Sequence, residues 1–440
     1  MKMSNAKDLI ERRKNVVPQG VGIFNPATVS QAKDGIIIDA DGNEMIDFAG
    51  GIGVLNAGHC PEPVVKAIQQ QAEKLIHACF HVGTYEPYVA LAEKLASLFP
   101  HGNHTKVMLT NTGAESVENA IKIARQATGR QAVICFTGAF HGRSMMAMSL
   151  TSKVAYKTGC GPFAPEVYRV QYPNYYKNHD GLSQDEFSDR ELFKFKKSLV
   201  NMVDPDNVAA VIIEPVQGEG GFNVTPKKYL QGLREICTQH GIMLIIDEVQ
   251  SGFARTGKWA AYQHYGITPD ISTWAKSMGS GMPIGAVVGK AEIMDQARPG
   301  TIGGTYLGNP VSCAAALATI KFIDEQNLND RAIEIGQIVT ERFKAMQEKT
   351  DSIGDVRGLG AMNAIELVKE GDPTQPDADL TAKLVVSCFN RGLVILSAGT
   401  FKNVIRILSP LVITNEQLDK GLNILEEELM KLTSMAEPAI

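Results

Sequence analysis

The chain has 440 residues, enough for a large core and most naturally for two domains. At 44% hydrophobic, 21% charged and a formal net charge of -5, it reads as a globular protein without the basic surface that nucleic acid binding requires. No apolar run reaches the roughly 18 residues needed to cross a bilayer, and the mixed-charge start MKMSNAKDLIERRKNVVPQG lacks the apolar stretch of a signal peptide.

Along the chain, short apolar runs alternate with helical patterns. TKVMLTNT precedes a helical pattern over residues 113–129, and AVICF follows it. NVAAVIIEP precedes an amphipathic stretch over Lys227–His240, and GIMLIIDE comes next. Near-continuous Val, Ile and Leu runs suit strands buried on both faces. Their alternation with helices implies right-handed crossovers and a mostly parallel sheet. Residues 172–189 are polar and aromatic and read as a surface excursion. After Asn309 two consecutive helices are expected. Strands are then expected in GDVRGLGAMNAIELV, GLVILS and NVIRILSP, with helices over residues 379–391 and 415–432, forming a smaller α+β unit. The seven cysteines include no C-x-x-C pair and read as reduced, packed residues of a cytosolic enzyme, with no metal site expected.

In open α/β sheets ligands bind beyond the carboxyl ends of the strands. Asp247 ends the run IMLIID, Glu214 ends VAAVIIE, and Lys276 lies just past ISTW, one crossover after Asp247. An acid and a lysine at adjacent strand ends also fit a plain buried ion pair. A third element bears on the choice: TNTGAES puts Thr112, Gly113 and Ala114 at a strand-to-helix turn, where open amides and the helix dipole favour a phosphate. Phosphate cup, acid and lysine together suggest pyridoxal phosphate, which requires a lysine for its imine and an acid beside the pyridine nitrogen.

The motif IIDEVQSGFARTGKWAA…PDISTWAKSMGSGMPIGAVVG, within a likeness running from VPQGVGIFNPA to NVIRILSPL, resembles the class III, fold type I aminotransferases that use pyridoxal phosphate, most closely the bacterial 4-aminobutyrate aminotransferases. The resemblance implies an α/β fold: a large domain with a mostly parallel central sheet and a smaller α+β domain. Its expected divisions are 1–55 joining the small domain, 56–325 binding the cofactor, and 326–440. It implies Lys276 as the Schiff-base lysine and acid/base, and Asp247 against the pyridine nitrogen. Val249 and Phe140 would lie on the two ring faces, Gln250 on the 3-hydroxyl, and Gly113 and Ala114 on the phosphate. Thr305 would reach the phosphate in a neighbouring subunit, making a homodimer the minimal active form, with dimers able to pair into a tetramer.

For substrates, the resemblance implies Arg143 and Arg406 as carboxylate anchors, Glu219 as a gate over Arg406, and Ile52 as an apolar residue favouring substrates without an α-amino group. The implied reaction moves the terminal amine of 4-aminobutyrate or 5-aminovalerate to 2-oxoglutarate by a ping-pong route, in the cytoplasm. Ornithine or putrescine transamination and amino-acid racemisation are the alternatives on the same fold. The phosphate turn has no cysteine, so no iron–sulfur cluster is expected there. SMGSGMP departs from the SIAGGFP or SLAGGMP of many relatives, which loosens the substrate assignment. His59 reads as a structural hydrogen-bonding residue. His141 fits either cofactor packing or loop ordering. Glu118 and Lys122, four apart on a helix, read as a surface pair.

Overall fold

The computed structural model describes residues 5–434. Its centre is a seven-stranded sheet whose strands, in chain order, are β1 (Thr105–Thr110), β2 (Ala132–Phe136), β3 (Val167–Val170), β4 (Val208–Ile213), β5 (Met243–Asp247), β6 (Ile271–Trp274) and β7 (Gly285–Lys290). They lie in the order β1-β7-β6-β5-β4-β2-β3. β3, β2, β4, β5 and β6 run parallel, whereas β7 is antiparallel to both β6 and β1. Every residue of β2, β4 and β6 is buried, as the unbroken apolar sequences of β2 and β4 require of strands covered on both faces; β6 buries Ser272 and Thr273 as well.

Helix α1 (Gly113–Thr128) crosses over from β1. The Thr112 side chain caps its start at the Glu115 amide, and Gly129 ends it with a left-handed φ of 69°. Its seven buried residues pack mainly on the sheet's second core layer with Met146, Ala147 and Leu150.

Beside a short hairpin of Val216–Gln217 with Asn223–Val224, two further sheets carry the other strands. Strands Gln31–Lys33, Ile36–Ile38 and Glu44–Asp47 form one with Leu393–Val394, so the N-terminal segment pairs with the C-terminal part of the chain. The other holds Ile353–Leu359, Met362–Lys369, Asp372–Pro376, Leu396–Ala398 and Val404–Ile407, the expected strands of the α+β unit. Helices Ala378–Asn390 and Asn415–Ser434 flank it.

One buried cation ties these parts together. The Arg255 guanidinium bonds the Asn56 side-chain oxygen through Nε at 3.0 Å and the carbonyls of Ala361 and Ser409 through Nη1 at 3.3 and 2.8 Å. Burial pushes its pKa down to about 9.

Two expectations are corrected. Residues 172–189 are not a surface excursion throughout. Tyr172 is only 2% exposed and donates its hydroxyl to the Asn223 carbonyl at 3.0 Å, and the helix Gln184–Asn201 begins within the segment. The polar residues that suggested a loop are the helix's capping box, Ser183 with Glu186, and its solvent face. Glu118 forms no ion pair with Lys122. Its Oε1 accepts from the Ser144 hydroxyl and the Met146 amide, both at 2.8 Å, and so satisfies the start of the Met145–Leu150 helix. His59 is structural as read, with Nε2 2.8 Å from the Asp47 carboxylate.

Candidate active site

The carboxyl ends of β4, β5 and β6 open into a cavity of about 490 Å³. Its lining includes Gly113, Ala114, Phe140, Arg143, Glu219, Asp247, Val249, Gln250 and Lys276, drawn from widely separated parts of the chain.

Asp247 is 4% exposed. One of its carboxylate oxygens accepts from the Thr273 hydroxyl and the Val249 amide, both at 3.1 Å, and the other lies 2.7 Å from His141 Nδ1. Among the described residues it forms no ion pair with Lys276. The plain acid–lysine pair therefore fails, and the two groups stand apart with the cavity beside them.

Lys276 has a left-handed φ of 49°, a strained conformation for a residue with a side chain. The flanking Ser277 holds the turn by donating to the Gly53 carbonyl at 2.8 Å. Burial lowers the Lys276 pKa from 10.5 to about 8, only partly opposed by Glu219, while the Arg406 charge lowers it further. A lysine depressed in this way weighs on the cofactor-free fold fully below pH 8 and releases that penalty as pH rises toward 10.5. Lys276→Met is thus expected to raise the urea-unfolding free energy of cofactor-free protein at pH 7 by roughly 3 kcal/mol. The gain should shrink as pH rises toward 10.5, and an equal gain at pH 7 and pH 10.5 would contradict it.

Glu214 pins two loops at once. Its oxygens accept from the amides of Phe140 and Gly218, each at 2.9 Å. Burial drives its pKa up to about 7 against the pull of His141. At the start of α1, Thr112 takes the amides of Glu115 and Ser116, leaving those of Gly113 and Ala114 as the open donors of the first turn. A Cβ at Gly113 would stand 2.8 Å from a Val249 methyl, so only glycine allows this approach.

The carboxylate binders are in two states. Arg406 is 3% exposed and pairs with Glu219 through Nη1 to Oε1 at 2.6 Å. Burial raises the Glu219 pKa, but Arg406, with Lys276 and Tyr156, more than offsets it, and the carboxyl falls below the ordinary glutamate value. Arg143 is exposed and, among the described residues, has no ion-pair partner; its guanidinium lies 5.4 Å from the Phe140 ring centroid. Ile52 has a left-handed φ of 65°, an outlier for a β-branched residue, and its carbonyl is 3.5 Å from Gln250 Nε2. Ile52, Arg406 and Thr305 are absent from the cavity wall; the first two still touch it, through Gln250 and Glu219, whereas Thr305 is exposed.

The donor set fits pyridoxal phosphate on its own chemistry. A lysine of lowered pKa, a buried carboxylate, two open helix-start amides and the buried, unpartnered Gln250 Oε1 surround one cavity. His141 Nε2 is likewise buried without a partner. Among the described residues no group of acidic, histidine or cysteine side chains could hold a metal ion.

Residues 17–429 match the class-III aminotransferase family. The chain belongs to that family. This aminotransferase is 48% identical to the 5-aminovalerate aminotransferase DavT of Pseudomonas aeruginosa, over 96% of this chain and 97% of the relative. It is 45% identical to the 4-aminobutyrate aminotransferase GabT of Escherichia coli, over 97% and 98%. A thermostable (S)-enantioselective omega-transaminase from Thermomicrobium roseum superposes with a TM-score of 0.91 at 30% identity, covering 99% of each chain. The fold is that of the fold type I transaminases, and the cofactor of the class is pyridoxal phosphate.

Three features of this aminotransferase's site carry no signal in its sequence. They are the His141–Asp247 contact, the double grip of Glu214, and Tyr156, whose hydroxyl donates to Glu219 at 3.2 Å. Each includes a contact between residues distant in the chain, the Glu214–Gly218 half of the grip alone being local.

Proposed function

We propose that this aminotransferase moves the terminal amine of an ω-amino acid, 4-aminobutyrate or 5-aminovalerate, to 2-oxoglutarate. One observation carries the reading: the closed Glu219–Arg406 pair beside an Arg143 that has no ion-pair partner among the described residues. The site offers one open carboxylate anchor and one masked anchor, which suits a donor with a single carboxylate far from its amine. The two relatives named for these donors support the same choice.

Pyridoxal phosphate, when bound, supplies an aldehyde that takes up the amine and a ring that draws electrons from the bond to be broken. Lys276 would hold the cofactor through Nζ. Once released, it is the base that removes the proton from the amine-bearing carbon, with a pKa of about 8 suited to the task. The Asp247 carboxylate, fixed by its bonds to Thr273, Val249 and His141, would stand against the pyridine nitrogen and supply the charge that keeps it protonated. Val249 and Phe140 would hold the ring, Gln250 would take the 3-hydroxyl, and the Gly113 and Ala114 amides would take the phosphate.

In the first half-reaction Arg143 binds the donor carboxylate, and Ile52 leaves no polar group for an α-amine; the product is succinic semialdehyde when 4-aminobutyrate is the donor. In the second, 2-oxoglutarate places its side-chain carboxylate on Arg143. Glu219 swings away, and Arg406 takes the α-carboxylate, yielding glutamate. Masking Arg406 in the first half avoids an unpaired buried cation.

The active form is a homodimer in this reading. Thr305 lies beside Tyr306, and the Asn309 side chain ties this loop to the Ile76 carbonyl at 2.8 Å. Tyr306 and Ile76 are 65% and 64% exposed, an apolar surface suited to a second copy whose cofactor phosphate Thr305 would reach. In this reading the chain divides into 1–55, which joins the small domain, 56–325 and 326–440, and the pairing of Glu44–Asp47 with Leu393–Val394 supports the first of these joins. A cytoplasmic location accords with the finding that no helix among the described residues is long and apolar enough to cross a membrane.

A spectrally monitored donor panel tests the substrate class. 4-Aminobutyrate and 5-aminovalerate are expected to convert the bound cofactor to its amine form, and 2-oxoglutarate to restore it. Conversion by ornithine or putrescine with neither ω-amino acid reacting would reject the assignment. Glu219→Gln is expected to lower the preference for 4-aminobutyrate over glutamate at least about tenfold, because Arg406 is then no longer masked by a charge. An unchanged ratio of the two kcat/KM values would remove Glu219 as the gate.

A further inference from the structure

After the Met145–Leu150 helix the chain turns back and places Tyr156 between the two carboxylate binders. The Arg143 guanidinium carbon lies 4.9 Å from the Tyr156 ring centroid and 5.4 Å from that of Phe140. These two rings meet edge to face at 5.2 Å and 69°. Arg143 is thus held by aromatic faces, with its hydrogen-bonding fork left for a ligand. The Tyr156 hydroxyl donates to Glu219 Oε2 at 3.2 Å, while Glu219 Oε1 takes Arg406 at 2.6 Å.

The gate carboxylate is therefore fastened at both oxygens, by a cation on one and a phenol on the other. The backbone is fastened too: the Gly399 amide donates to the Glu219 carbonyl at 3.0 Å, and Lys153 Nζ donates to the Gly399 carbonyl at 3.1 Å. Burial and the neighbouring Glu219 carboxylate push the Tyr156 phenol above its ordinary pKa, so it remains a donor throughout the neutral range. A hydrogen bond to a carboxylate is stronger than one between neutral groups, and opening the gate must break it.

We propose that Tyr156 is a specificity-determining positioning residue, latching Glu219 onto Arg406 through its hydroxyl and holding Arg143 through its ring. One side chain then sets the balance between a monocarboxylate amine donor and a dicarboxylate. The proposal rests on the reading of Glu219 as the gate and adds what fixes the gate's closed position.

Tyr156→Phe in the holoenzyme keeps the ring and removes the latch. The ratio of kcat/KM for 4-aminobutyrate to that for glutamate is expected to fall about tenfold. The change should appear as a lower KM for glutamate and 2-oxoglutarate, with little change in kcat. In a Glu219→Gln background the same substitution should add nothing, because the latch has lost its charged partner. Tyr156→Leu should in addition raise the KM of both donors, as Arg143 loses a ring face. An equal shift in both backgrounds would overturn the proposal, since Tyr156 would then act apart from Glu219. An unmoved ratio in Tyr156→Phe, with Glu219→Gln still moving it, would overturn the latch and leave the gate standing. If Glu219→Gln itself left the ratio unmoved, the gate and the latch would both fall.

Discussion

Lys276→Ala is expected to reduce transamination by about four orders of magnitude or more, because it removes both the group that holds the cofactor and the base that moves the substrate proton. The rest of the cavity wall would survive the change. The Gly113 and Ala114 amides, Asp247 and Gln250 stand on other elements, so the variant should still retain the cofactor through contacts that do not involve position 276. Single-turnover measurement with 4-aminobutyrate separates the two losses, since slow uptake of the donor and slow proton movement appear as distinct spectral phases. The strained φ of 49° at this position argues in the same direction. A residue held in a sparsely populated conformation in the wall of a cavity is maintained by its surroundings, and alanine there would carry the strain without the function. Near-normal turnover in Lys276→Ala would mean that another base serves the site.

Asp247→Asn should lower kcat by roughly two to three orders of magnitude, the scale found when a preorganised charge is removed from a site closed to water. The substitution isolates the charge. Asparagine keeps an oxygen for the Thr273 hydroxyl and the Val249 amide, and its amide can face His141 Nδ1 if that ring changes tautomer. What it cannot supply is the anion that holds a proton on the pyridine nitrogen. Donor binding should change little, since Arg143 lies on a different loop, so the defect belongs in kcat rather than KM. Equal kcat in Asp247→Asn and the parent would show that ring protonation is supplied elsewhere.

Much of this site was legible in the sequence because its anchors lie at the ends of short, largely apolar strands. The runs VAAVII, MLIID and ISTW, buried on both faces apart from half-buried Met243, form β4, β5 and β6 side by side, and their ends bring Glu214, Asp247 and Lys276 to one edge. Thr112 and Gly129 likewise mark the limits of α1 by their capping chemistry. β7 was less visible. Its sequence GAVVGK is interrupted by glycines, and its antiparallel place depends on contact: a Cβ at Gly285 would lie 2.5 Å from the Thr110 hydroxyl and 2.7 Å from that of Ser116. Glu118 shows the limit of helical spacing as evidence. Its i,i+4 neighbour is Lys122, yet two amides and a hydroxyl on the next element hold it instead. Tyr156 shows the same for the site, since only the folded chain brings its ring to Arg143 and its hydroxyl to Glu219.

The most direct measurement is borohydride reduction of the freshly purified holoenzyme, followed by mass mapping of the peptides. The cofactor's mass is expected on Nζ of Lys276 alone, and prior incubation with 4-aminobutyrate should abolish the labelling by converting the cofactor to its amine form. Labelling at a different lysine, or none at Lys276 in protein that carries the cofactor, would contradict the account.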